Sequence, residues 1–485
     1  MSLKKEAVLG MVWVFADAFI IKGISFIGSI FLARLLIPSD FGLIAMISIF
    51  ISIGTVFLDS GLSSSLIRNN NNDECDYSTI FYINIFLSCI VYVFFFITSP
   101  LIAEFYNQEI LILIIRVYCI SFFIGALTSV QMTILIKEMK FKKIALINIP
   151  GVIIGSFIGI LMAYKDYGVW SIIGMYLTNQ FILLVIIWIV SDWKPKFIFS
   201  FKKLKYHYDF GYKLFISSII TSIFGNIYNV IIGKFYSIKT TGNFERGYMF
   251  NQYPLIVLTQ IIGKVTFPLL ANIKEDEDRF REIFIKLVNF TFFITAPIML
   301  ILSACSKPLI LLVLGEKWSG VIQIFSILCI GGIFYTLQAL NVNVLKIFGR
   351  SDYILKGEIY LRSINLILVI CAALISFELL LWSFVLNSIL TLLVNMYYCN
   401  ITLGVTINEQ LKSIFPILII SLATFLLIRT FLFLFSNNLS SLTELFLSII
   451  IGFICYITLS YIFKIQSLKV CVEWLCENKI IKLKK

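Results

Sequence analysis

Charged residues are scarce in this sequence. They make up 14% of its 485 residues, against about 25% in an ordinary soluble domain. Histidine occurs once, at His207, and proline nine times. No Gly-rich phosphate loop, zinc-ligand spacing or nucleophile–base arrangement can be found along the chain. The first 30 residues lack the pattern of a cleavable signal, because Met1–Glu6 run straight into a long apolar segment. The shortage of charge excludes a cytosolic enzyme and a disordered chain, and the composition excludes a collagen-like fibre. What is abundant is apolar: 60% of the residues, with a mean hydropathy of +0.97. Soluble cores stop growing at roughly 250–300 residues and could not hide that much apolar surface.

The expected class is therefore an all-α polytopic membrane protein. Apolar runs bounded by charges and turn residues place fourteen spans at 8–36, 41–67, 78–103, 109–136, 144–164, 168–191, 207–236, 246–271, 286–305, 320–346, 354–377, 379–403, 413–434 and 443–463. At about 20 residues per span, fourteen need roughly 280 residues, which leaves short loops and no large soluble domain. A re-entrant piece around Pro308, within Lys307–Trp318, would change the count. The ten cysteines are scattered, mostly inside apolar runs, where they act as small apolar residues. Cys471 and Cys476 lie five apart on the tail, and neither a disulfide nor a metal site is expected there.

Loop charge tests this parsing. With the N-terminus in the cytoplasm, the cytoplasmic segments hold 26 basic residues and the opposite ones 8. That is a strong positive-inside bias, with both termini cytoplasmic. The net charge of +12 then reflects loop lysines facing anionic membrane lipids rather than nucleic acid. The lysine-rich segment Asp192–Lys205, DWKPKFIFSFKKLK, reads as a cytoplasmic linker on the membrane surface. It divides the chain into an N-lobe with linker (1–205), a C-lobe (206–403), and two further spans with a basic tail (404–485). A parallel repeat of six spans follows. At an offset of 200, Arg34 meets Lys234, Gly42 meets Gly242 and Leu58 meets Leu258.

Residues 32–68, LARLLIPSDFGLIAMISIFISIGTVFLDSGLSSSLIR, resemble the opening of the Wzx-type (WzxC-like) lipopolysaccharide and polysaccharide flippases. These belong to the multidrug/oligosaccharidyl-lipid/polysaccharide exporter superfamily. LKYHYDFGYKL (204–214) and LGEKW (314–318) are similar to further segments of that family. The resemblance implies two six-helix lobes in a V, with spans 13 and 14 outside. It also implies alternating access that carries an undecaprenyl-diphosphate-linked oligosaccharide to the outer leaflet of a bacterial cytoplasmic membrane, for surface polysaccharide or O-antigen assembly. Polysaccharide polymerase and assembly proteins are the expected partners, and a monomer the expected state.

Charges inside spans are the candidate site residues, because each is costly unless it meets water or a partner. Lys22, Arg116, Lys264 and Arg362 would offset the lost hydration of an anionic diphosphate. Arg116, Lys264 and Arg362 are also readable as side chains that snorkel to an interface or pair with a buried acid. Asp17 and Asp59 are candidates for coupling to H+ or Na+, or for structural pairing. No cofactor or metal is expected. His207 reads as interfacial, Asn69–Asp76 as a solvated loop, and Gly151, Gly155 and Gly159 as a helix-packing face. An ion-coupled multidrug efflux pump is the alternative; its cavity should be acidic or aromatic, which the surplus of cations disfavours. A membrane-embedded glycan-modifying enzyme would need a larger outer loop with His, Asp or Arg.

Overall fold

Residues 21–435 and 440–469 are described by the computed structural model, and all their regular elements are helices. Asp17, Cys471, Cys476 and most of the basic tail lie outside the described residues. Among the described residues, twelve helices are long and apolar enough to cross a membrane, and a bent pair, taken as one span, makes thirteen. A helix over 21–35, α1, lies within the first expected span. The protein is a multi-pass membrane protein. Its chain divides into two compact units, Met1–Gly242 and Asn243–Lys485.

In the first unit α1 is followed by α2 (Pro38–Asp59), α3 (Leu62–Arg68), α4 (Glu74–Tyr106), α5 (Ile110–Tyr118), α6 (Ile120–Lys137), α7 (Phe141–Tyr164) and α8 (Val169–Val190). The pair α9 (Phe201–Gly225) and α10 (Ile227–Phe235) completes it, with the first turn of α11 (Ile238–Asn272). Lipid tails are as apolar as leucine, so these helices associate through close packing and polar contacts. The GxxxGxxxG face does this as expected. A Cβ at Gly151, Gly155 or Gly159 would run into Asn179, Met175 or the Ser171 carbonyl of α8. A core of Met46, Ile47, Phe95, Ile114 and Phe122 joins α2, α4, α5 and α6.

The division at Gly242 differs from the 205/206 linker boundary. The reason is that α9 and α10 pack along α2, α3 and α4. They bend by 41° at Asn226. Its side chain sits in the break, donating to Ser52 Oγ (3.1 Å) and accepting from Ser48 Oγ (2.9 Å).

The linker is also not simply laid on the membrane. Its backbone amides at Lys196 and Ser200 donate to Ser78 and Thr79 of α4, each at 3.1 Å. Trp193 packs against Tyr77 and Phe81, and Phe197 stacks on Tyr82.

The second unit is arranged around α12 (Glu277–Ala304), whose Phe280, Phe284, Phe292, Ala296 and Met299 are fully buried. Then come α13 (Ser306–Val313), a 3-10 turn (Glu316–Trp318), α14 (Val321–Gly332), α15 (Tyr335–Ile347), α16 (Ser351–Ile375), α17 (Phe377–Leu403), α18 (Ile407–Phe435) and α19 (Ser441–Ile462). α12 packs along α18, α14 and α15, while α19 covers α18 and α13. The Lys307–Trp318 stretch is thus a short helix and turn anchored by the buried Trp318. Eight residues rise only about 12 Å, too little to cross. α11 starts eight residues before the expected span at 246. Arg246, expected in an outer loop, is therefore inside the helix and only 7% exposed.

Candidate functional site

The joint between α9 and the helices α2, α3 and α4 concentrates the polar chemistry of the first unit. At Ser60 and Gly61 the backbone turns left-handed (φ 44° and 70°), ending α2 and starting α3. Gly211 of α9 fits into that corner. A Cβ on Gly61 or Gly211 would overlap the other segment's backbone, so two helices meet here without side chains between them.

Beside this contact a cavity of about 140 Å³ is lined by Thr55, Val56, Asp59, Gly61, Phe215 and Ser218. Asp59, the last residue of α2, is exposed in it. One carboxylate and two hydroxyls around a space with room for several waters suit a hydrated alkali cation or a proton relay.

One turn nearer the linker, the fold assembles a chain of polar contacts that sequence reading misses. Asp73 and Asp76 form a reciprocal cap at the start of α4. Asp76 N–H donates to Asp73 (2.9 Å), and Asp73 N–H donates to Asp76 (2.8 Å). Lys203 of α9 bridges both carboxylates at 2.6 and 2.8 Å. His207, one turn further along α9, is fully buried. Its Nδ1 lies 2.8 Å from Ser65 Oγ and its Nε2 lies 3.3 Å from Asp76 Oδ1. The segment Asn69–Asp76 is therefore half cap and half ion-pair partner, and His207 is closed off inside the first unit rather than open to solvent. Ser65, His207 and Asp76 follow the order of a hydrolytic triad. With Ser65 only 3% exposed, no substrate carbonyl can reach its oxygen.

The five described candidates from the sequence lie on five different helices. Lys22 is exposed on α1, and Lys264 is exposed on α11. Arg116, on α5, donates from Nε to Ser99 Oγ (3.2 Å) and lies 4.1 Å over the Phe96 ring of α4. Arg362 donates from Nε to Glu358 (2.6 Å) one turn earlier on α16. Asp59 lines the cavity described above, and Asp17 is outside the described residues. Lys22, Arg116 and Asp59 belong to the first unit, and Lys264 and Arg362 to the second. Sequence reading also missed Arg246, whose Nη1 lies 3.5 Å from Met249 Sδ. One local signal was present for the joint: an acidic pair at a cap spacing, D-x-x-D at 73–76, next to a basic helix start.

This arrangement of helices matches known proteins. Over 94% of the chain, and 98% of its counterpart, it superposes on the solved structure titled "Lipid II flippase MurJ, inward closed conformation", with a TM-score of 0.74 and 16% identity. In sequence the chain is 25% identical to the teichuronic acid biosynthesis protein TuaB of Bacillus subtilis (strain 168), over 83% of this chain and 84% of that one. It is also 25% identical to the lipopolysaccharide biosynthesis protein WzxC of Escherichia coli (strain K12), over 74% of each chain. A family model described as "Polysaccharide biosynthesis protein" matches residues 31–323. The chain belongs to this polysaccharide biosynthesis family, as a Wzx-type member of the exporter superfamily that its opening spans resemble.

Proposed function

We propose that the protein is a flippase for a lipid-linked oligosaccharide. It moves an undecaprenyl-diphosphate-linked repeat unit from the inner to the outer leaflet of the bacterial cytoplasmic membrane by alternating access. The observation that carries this reading is the family match across residues 31–323, joined to a flippase-like fold along almost the whole chain. The charge distribution supports it. Twenty-six basic residues in one set of expected connections, against seven in the other once Arg246 is counted inside α11, support cytoplasmic termini. The cations Lys22, Arg116, Lys264 and Arg362 outnumber the acids Asp17 and Asp59, which suits an anionic diphosphate better than a cationic drug.

Within this reading, Lys22 and Lys264, both exposed residues, are cations for the diphosphate. Arg362, held by Glu358, offers a guanidinium whose orientation is fixed before substrate arrives. Asp59, in its cavity of about 140 Å³, is the candidate ligand for a coupling H+ or Na+. Anionic lipids cover the basic loops, and polymerase and assembly proteins take over the exported glycan.

The test is translocation of a fluorescent polyprenyl-diphosphate oligosaccharide in proteoliposomes. Lys22→Ala and Arg362→Ala should each lower the rate by about tenfold or more, equivalent to ~1.4 kcal/mol or more in the barrier, while insertion and thermal stability are kept. Unchanged rates in both variants would remove the cationic path from the mechanism, and no translocation by the wild type would remove the flippase reading.

A further inference from the structure

We propose that His207 is a proton-binding site, and that proton uptake there undocks the start of α9 from α3 and α4. The sole histidine of the chain has no exposed surface, yet the helix that carries it is anchored over only a short stretch. Around it Phe201, Lys202, Lys205, Tyr206 and Tyr208 are exposed. Fraying two turns of α9 brings the imidazole to water, so a proton can reach it without a permanent channel.

The hydrogen bonds fit the neutral ring. Ser65 Oγ–H donates to Nδ1, and Nε2–H donates to Asp76, so both nitrogens and both partners are satisfied. Protonation changes this. Nδ1 becomes a donor, and Ser65 must turn its own hydrogen away. The added charge arrives in a place already balanced. The facing charges are Asp73 and Asp76 from α4, Lys203 on α9 itself and Lys137 at the end of α6. Two carboxylates and two ammonium groups leave no spare negative charge for an imidazolium. The remaining neighbours do not supply one. Arg68 of α3 is turned onto the Phe210 ring at 4.4 Å, Tyr206 lies 5.2 Å from the imidazole, and Lys196 of the linker is 3.9 Å from Glu74. A surplus cation in a pocket closed to water is relieved by letting water in, which requires α9 to lift.

Undocking at this joint also releases the Gly61–Gly211 contact and widens the cavity beside Asp59. The role of that movement in transport rests on the flippase reading; the proton site does not.

A single histidine makes the site directly readable. Full-length protein carrying [15N]histidine, with any affinity tag removed, is placed in lipid nanodiscs and titrated. The imidazole nitrogens should pass from neutral to cationic as pH falls below about 6.5, the ordinary histidine value, because the docked pocket disfavours the cation. Amide exchange protection over residues 200–212, compared at each pH with His207→Gln, should fall at least tenfold in the wild type across the same midpoint and stay level in the variant. An imidazole that remains neutral, a titration without loss of protection, or a loss shared by His207→Gln each overturns the proposal. The wild-type titration needs no substitution and stands even if the variant misfolds. Absence of glycolipid translocation by the wild type would count against the flippase reading and leave the titration result in force.

Discussion

Gly42 and Gly242 make the same contact with partners exchanged. A Cβ on Gly42 would strike the carbonyl of Ile238, and one on Gly242 would strike the carbonyl of Pro38. Both glycines sit four residues after the residue that the other one touches, and the offset is 200 in each case. Such reciprocity is what a local two-fold relation between the short segments 38–42 and 238–242 produces. Either Gly42→Ala or Gly242→Ala should lower thermal stability in detergent, each by about 1–3 kcal/mol for overpacking against backbone. The double variant should cost less than the sum, because one separation relieves both overlaps. Additive losses would show that the two contacts are independent.

Asn226 should behave as a polar rivet. Its amide serves Ser48 and Ser52 while also donating to the Ser222 carbonyl (2.9 Å). Asn226→Ala leaves the two hydroxyls without that partner and is expected to cost about 1–3 kcal/mol. In a double-mutant cycle read by thermal unfolding, the loss should be largely masked in a Ser48→Ala, Ser52→Ala background. A full loss in that background would assign the effect to helix propensity alone.

Asp59→Asn keeps the shape of the carboxylate and removes its titration. The expected outcome is translocation that continues downhill but no longer responds to an imposed proton or sodium gradient. A wild-type response would make Asp59 structural and place coupling elsewhere.

Acid should weaken the cap of α4 late. The Lys203 ammonium, and next the Asp76 N–H, hold the Asp73 carboxyl at about 2, below its ordinary 3.8. With α9 docked, its contribution is complete above pH 3.8 and disappears as pH falls through about 2. In a His207→Gln background, which keeps α9 docked, Asp73→Asn can still cap but should melt below its parent from pH 5 to 8, and the two should converge near pH 2. A constant gap across that range would mean that charge at Asp73 is irrelevant to docking.

The spans and the small-residue face of α7 were legible because hydropathy and glycine spacing are local properties. The His207 joint was not, since Ser65 and Asp76 lie 142 and 131 residues away from it. A lone histidine at a basic helix start reads as interfacial until the fold brings a carboxylate to it. Arg246 was misplaced for a different reason. The first turns of α11, IKTTGNFERG, carry little apolar signal, so a hydropathy boundary falls too late, although a two-residue connection from α10 leaves no room for a loop. Among the candidate cations, that Arg116 would rest on Phe96, and Arg362 on Glu358, depended on rotamers and packing.

The bend at Asn226 turns α9 into a lever with its fulcrum at the polar break. Its 25 residues reach about 37 Å from that point at 1.5 Å per residue. A tilt of only about 10° there swings the far end through roughly 6 Å, by the same rise per residue. Small adjustments among Ser48, Ser52 and Asn226 are thus magnified at Lys203 and His207, and the length of α9 sets the gearing.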